Sequence, residues 1–228
     1  SSSRELLSAP LHLEIKTDDP RRWPARNMDW ADQRRPPRSL LAGPATIRVL
    51  ESGPARVAVE IERRGEGSRF VQLVRLAAGD AGERLEFANR VEWRTRAAHL
   101  KAVFPLAAAN SRATYSLGLG TLERGNNEER KFEVSCQQWF DLTDAGGAFG
   151  VTVLAGSKYG SDKPDNRTLR LTLIRTPGSQ GGFPDQATQD LGRHEFVYGL
   201  AAHRGDWRQG RTDRHAYRLD QPLMAFQA

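Results

Sequence analysis

One cysteine, two methionines and the lack of any long apolar run are the first things this 228-residue chain shows. A lone Cys136 excludes an internal disulfide framework, and its apolar-alternating surroundings predict a small buried thiol. No stretch approaches the ~20 apolar residues of a transmembrane helix, and the opening SSSRELLSAP has neither the basic lead nor the apolar core of a secretory signal. The expectation is no membrane association, with the compartment left open. Amphipathic helices of ordinary length are absent from the pattern, and no internal repeat of fixed period is visible. Among the five histidines (His12, His99, His194, His203, His215) no His-x-His or His-Glu-x-x-His spacing occurs, so no metal site is expected in this chain.

Arginine, by contrast, is plentiful. Only Lys16, Lys101, Lys131, Lys158 and Lys163 are lysines among the 34 basic residues, and the net charge is +6. The arginines are scattered as doublets such as Arg21-Arg22, Arg34-Arg35 and Arg63-Arg64, interleaved with Asp and Glu. That pattern describes solvated strand faces and loops rather than a nucleic-acid footprint.

Strand signals dominate the rest. LHLEIK at residues 11–16 alternates apolar and polar residues, as a half-buried strand does. Residues 17–44 are rich in proline and charge and hold Trp23 and Trp30. They read as an arm that wraps the domain, or a neighbour, with its tryptophans filling grooves. From residue 45 the strands come quickly, and Gly65-Glu66-Gly67 supplies the positive φ of a tight hairpin. Leu85, Phe87, Val91 and Trp93 share one parity and predict one buried strand face. A closing pair of strands is expected around HAYRL and PLMAF. Strand number and turn spacing predict an all-β fold, a large antiparallel β-sandwich, with residues 1–44 as strand and arm and 45–228 as the sandwich of a single domain.

Four blocks carry a family resemblance: LEFANRVEWRTRAAHLKAVFPL (85–106), KFEVSCQQWFDLTD (131–144), SKYGSDKPDNRTLRLTLIRTP (157–177), and FPDQATQDL followed by GRHEFVYGLAAHRGDW (183–207). In this order they resemble the C-terminal, all-β part of the glycoside hydrolase family 38 α-mannosidases. The resemblance implies a supersandwich like that of galactose mutarotase relatives. It also implies a glycosidase in the intact protein, acting on mannose-containing glycans by a metal-assisted retaining mechanism. The family's nucleophile and its zinc, or other divalent cation, belong to an N-terminal α/β catalytic domain, and no segment here is similar to that domain. The chain alone is therefore expected to be inactive and to brace the catalytic domain, its implied partner.

A retaining glycosidase uses two carboxyl groups about 5 Å apart. The carboxylates weighed here are Asp162, Asp165, Asp185, Asp190 and Glu195, and spacing pairs none of them. Asp162 and Asp165 sit where turn-forming Asp is the ordinary explanation. Asp185 and Asp190 lie in a long glycine-rich loop, a common place for function. By resemblance, residues 190–196 are the pocket-facing loop: Asp190 accepts from sugar hydroxyls, Arg193 donates, and Gly192 lets the backbone come close. Tyr159 and Trp207 are candidates for stacking on a sugar, against the commoner fate of packing. The match to the family weakens at Ala201-Ala202, which leaves His203 without a specific role. A free-standing carbohydrate-binding module and a structural interface domain are the alternative readings, and homo-oligomerisation stays open.

Overall fold

The computed structural model describes residues 4–24, 26–178, 189–221 and 226. Two antiparallel sheets form a sandwich, with strands numbered along the chain. The smaller has six strands in the order β10 (Val134–Ser135), β13 (Gly160–Asp162), β14 (Thr168–Thr176), β7 (Ala98–Pro105), β1 (His12–Thr17), β2 (Ser39–Leu40). The larger has nine: β3 (Thr46–Ser52), β4 (Arg56–Gly65), β5 (Ser68–Ala77), β6 (Arg84–Trp93), β15 (Gly192–Arg204), β12 (Phe149–Leu154), β11 (Trp139–Thr143), β8 (Ala113–Leu117), β9 (Gly120–Arg124).

Local chemistry explains these elements. Gly65 pairs with Ser68, and the two turn residues between them, Glu66 and Gly67, have φ of 46° and 78°, the left-handed pair a two-residue hairpin requires. On β6 the residues of one parity, Phe87, Val91 and Trp93, are buried in the core with Leu85 packed against it, as expected. Leu100, Ala102 and Phe104 of β7 meet them from the other sheet. Cys136 is buried, and burial pushes its thiol up to about 12.

Two expectations need correction. The segment around HAYRL is no strand: Thr212–Asp220 is a helix, α2, with Thr212, His215 and Ala216 buried and Leu219 packed beside them. Their spacing of three and four is helical, but no side chain caps the start, where Arg211 has φ 51°, so the usual entry signal is missing. Of PLMAF, only Phe226 lies among the described residues. The arm is also more regular than expected, with a one-turn helix, α1 (Trp30–Gln33), and β2. Trp30 packs on Phe132 at 5.4 Å, and Trp23 is 53 % exposed with Arg26 over its ring.

Candidate functional site

The candidate residues separate into three settings, while Asp185 lies outside the described residues. Asp190 is exposed, and its carbonyl lies 2.9 Å from Nε2 of His194. Gly192 opens β15 with φ 116°, a conformation that favours glycine, and a Cβ there would meet no atom within 4 Å. Arg193 points to solvent and is ion-paired with Glu195, which raises the Arg193 pKa. Trp207, three residues past the far end of the same strand, packs on Trp139 at 4.9 Å, with the Arg208 guanidinium 4.2 Å from its ring centre. Tyr159 is 58 % exposed.

A link between Tyr159 and Asp190 runs through Lys158. Its ammonium sits 4.5 Å from the centre of the Phe196 ring, burial lowers its pKa, and the Asp190 carboxylate opposes that shift. The backbone entering this corner is left-handed at Gly156 (φ 52°), which glycine adopts freely, and at Ser157 (φ 60°), where it is strained. A Cβ on Gly156 would stand 1.9 Å from the Val197 carbonyl oxygen, so only glycine passes there. The turn borders a cavity of about 480 Å³ lined by Gln137, Gln138, Ser157, Tyr159 and Asp220 among others. Burial raises the Asp220 pKa, partly offset by a hydrogen bond from Gln138. Amides, a hydroxyl, a phenol and a carboxyl beside an aromatic face form a surface able to hydrogen-bond a sugar. Gln138 and Asp220 were not singled out in the sequence. The unrecognised α2 brings Asp220 here.

Asp162 is not a turn residue. It lies on β13, 1 % exposed, inside a layer of buried charge on the outer face of the smaller sheet. Lys101 Nζ donates to Glu133 at 2.5 Å, Asp162 at 2.8 Å and Thr172 at 2.8 Å, which uses all three of its protons. Arg170 Nη2 reaches Asp162 at 2.5 Å and its Nη1 reaches Glu14 at 2.9 Å. Burial opposes ionisation of Asp162, but Lys101 and Arg170 outweigh it and hold the carboxyl well below the usual carboxylate range. Burial dominates at Glu133 and raises it. At Lys101 burial is outweighed by Asp162 and Glu133, and the pKa rises. The arm closes the layer, with Lys16 donating to the Arg35 carbonyl at 2.6 Å and Arg175 to Asp18 at 2.6 Å. His99 Nδ1 is 4.0 Å from Asp18, yet burial, with Lys101 and Lys16 nearby, drives its pKa well below 6.5 and keeps the ring neutral. Cations Lys16, Lys101, Arg170 and Arg175 thus match anions Glu14, Asp18, Glu133 and Asp162, which suits a structural layer. Asp165, by contrast, does form the turn, accepting from the amides of Arg167 and Thr168 at 2.7 and 2.8 Å.

A second polar cluster seats α2. Asp141 accepts from His203 at 2.7 Å, Thr152 at 2.6 Å and Thr143 at 2.7 Å, while Trp139 donates to Asp213 at 2.7 Å. Burial would lower the His203 pKa, but the Asp141 hydrogen bond and charge raise it overall. Among the described residues no group of three or more His, Cys, Asp or Glu is placed to hold a metal ion. The histidines are dispersed: His12 lies by the Pro10 carbonyl, His99 by Gln33, His194 by Asp190, His203 by Asp141, and His215 by Glu83. A family 38 divalent cation does not fit these residues.

Comparison with known proteins completes the description. The family model described as "Glycosyl hydrolases family 38 C-terminal domain" matches residues 1–186. Alpha-mannosidase 2C1 of Homo sapiens is 34 % identical over 218 residues, covering 92 % of this chain and 20 % of that protein. The alpha-mannosidase of Saccharomyces cerevisiae is 30 % identical over 167 residues, covering 70 % of this chain and 15 % of its own length. A solved structure of a glycosyl hydrolase family 38 protein from Enterococcus faecalis superposes with a TM-score of 0.74 at 17 % identity, over 92 % of this chain and 28 % of that one, a likeness of fold. The chain spans about a fifth of the length of the curated relatives named first.

Proposed function

The chain belongs to the C-terminal domain family of the family 38 glycosyl hydrolases, and from this premise we propose that it is the β-sandwich of an enzyme hydrolysing α-mannosidic bonds. One observation carries the reading: the match to that family model over residues 1–186, in a chain about a fifth as long as its α-mannosidase relatives. Residues 1–228 act as a single domain that braces a catalytic domain in the same polypeptide. The nucleophile and the divalent cation that assists family 38 chemistry belong to that other part. The chain's own contribution is the corner formed by Tyr159, Lys158 and residues 190–193. Asp190 accepts hydrogen bonds from sugar hydroxyls, Arg193 donates, and Tyr159 offers its ring to the apolar face of the sugar. Trp207 is the weaker stacking candidate because its ring already contacts Trp139 and Arg208.

The test compares the 228-residue chain with the longer polypeptide of the same gene on a p-nitrophenyl α-mannoside. The longer polypeptide hydrolyses it with retention at the anomeric carbon, and the chain alone does not. In the longer polypeptide Asp190→Ala lowers kcat/KM by roughly 10-fold or more, the value of a hydrogen bond to a charged group. Turnover by the chain alone, or a longer polypeptide inactive on α-mannosides, would sink the reading. The amide-lined cavity beside Tyr159 favours one alternative, a free-standing glycan-binding module. Saturable mannose binding by the chain alone in calorimetry would establish it.

A further inference from the structure

The larger sheet is wider than its cover, nine strands against six among the described residues. A single rung of its inner face runs Tyr198, Phe87, Val74, Val59, Val49 across β15, β6, β5, β4 and β3. Tyr198 and Phe87 are 0 % and 5 % exposed, Val74 and Val59 are half-buried, and Val49 is 68 % exposed. On the same face Ile47, Val57 and Leu76 are 62 %, 46 % and 40 % exposed. The opposite face of these strands mixes Ala58, Val71 and Leu73 with ion pairs Arg48–Glu60 at 2.9 Å, Arg69–Glu62 at 2.7 Å and Arg75–Glu86 at 3.0 Å. The inner face continues the apolar surface of the core past the smaller sheet, and over β3, β4 and β5 it is exposed.

The smaller sheet stops where the open area begins. Its edge on this side is β2, only two residues long, and Leu41 just after it sits against Gly65 at the tip of the β4–β5 hairpin. The sheet therefore reaches the hairpin tip and not the body of the two strands. A strand added along β2 would gain main-chain hydrogen bonds from an open edge and lay its apolar face on Ile47, Val49, Val57 and Leu76. The curated relatives are about five times as long as this chain, and on the proposed reading the same polypeptide supplies the strand.

We propose that further β-strands of the same polypeptide, outside residues 1–228, extend the smaller sheet from its β2 edge and cover this face. The inference rests on the reading that the chain is one domain of a longer family 38 protein. It is tested by thiol labelling, with native Cys136 silent because it is buried. Val49→Cys and, as a second site, Val57→Cys are compared with Leu119→Cys, a position exposed in the turn between β8 and β9 at the opposite edge of the sheet. In the chain alone, maleimide labels all three at similar rates. In the longer polypeptide the rates at Val49→Cys and Val57→Cys fall roughly 100-fold relative to Leu119→Cys, and amide exchange of residues 39–41 slows by a similar factor. An unchanged ratio overturns the proposal. Protection of Val49→Cys without slowed exchange at 39–41 overturns strand addition. Protection in the chain alone that grows with its concentration makes a second copy the occupant, and also overturns it. Hydrolysis of an α-mannoside is read separately, so protection without activity would sink the functional reading and leave the added strands standing.

Discussion

Lys101 on β7 is fully buried although it carries a charge, and Val49 on β3 is 68 % exposed although it is aliphatic. Each lies in a sheet of the same sandwich. Around Lys101 the arm and the segment holding Glu133 lie over the sheet's outer face, and four cations meet four anions there. Around Val49 the apolar face of the sheet is exposed, and no described strand of the smaller sheet lies over it. Residue type thus states what a position is suited to, while the reach of the neighbouring layer decides what it receives. Charge can be buried when its partners are buried with it, and an aliphatic can stand in water when its cover is elsewhere.

The sharpest way to break this comparison is at Lys101. Lys101→Met leaves Glu133 and Asp162 without their shared cation, and unfolding in urea should show a loss of about 3–5 kcal/mol. A loss below ~1 kcal/mol would mean the layer is wet and the contrast with Val49 unfounded.

Next in size is a pH effect. The native His99 ring is neutral well below its ordinary 6.5, so below 6.5 the unfolded chain binds a proton that the native chain does not. The stability from this group is complete above 6.5 and falls by ~1.4 kcal/mol per pH unit as the pH drops below it. His215 acts in the same direction and His203, whose pKa is raised, in the opposite one, losing its contribution as pH rises above 6.5. The difference in slope between the parent and His99→Asn between pH 6.5 and 5 isolates the buried ring. Equal slopes would contradict it.

A smaller gain is expected at Lys16, whose pKa burial lowers to about 8, with Arg170 adding to the effect. Between about 8 and 10.5 the unfolded chain holds a proton that the native one has shed, so stability rises with pH across that window. Lys16→Met should raise stability at neutral pH by about 1 kcal/mol and remove the rise. A thermal-melt series from pH 7 to 10 checks both. The smallest effect belongs to the open face: Ile47→Thr and Val49→Thr should each change the stability of the 228-residue chain by no more than ~0.5 kcal/mol. A loss like that of a core truncation would show the face to be covered after all.

Much of this is legible in the residue pattern alone. The hairpin at Glu66-Gly67, the parity of Leu85, Phe87, Val91 and Trp93, the turn at Asp165 and the sandwich class are all short-range statements, made by alternation and by backbone conformations that few residues tolerate. The family blocks belong with them. Asp162 was misread because its register partner Arg170 is near in sequence but Lys101 is not, and only the second contact reveals a buried carboxylate. The α2 helix is not legible because its buried stripe, Thr212, His215, Ala216 and Leu219, is half polar and lacks a capping residue. Of the candidate site, Tyr159 and Asp190 are legible as residue types, while Gln138 and Asp220 come beside Tyr159, and Lys158 near Asp190, only through the fold.

By itself, then, the sequence determined an all-β chain, most of its strands and turns, and its family. Tertiary structure alone decided which faces are covered, which charges meet, and where α2 is seated. The reason is range: alternation is set by neighbours two residues apart, whereas Lys101 finds Asp162 across 61 residues of chain. Burial is a property of the layer above a strand, and no strand encodes what lies over it.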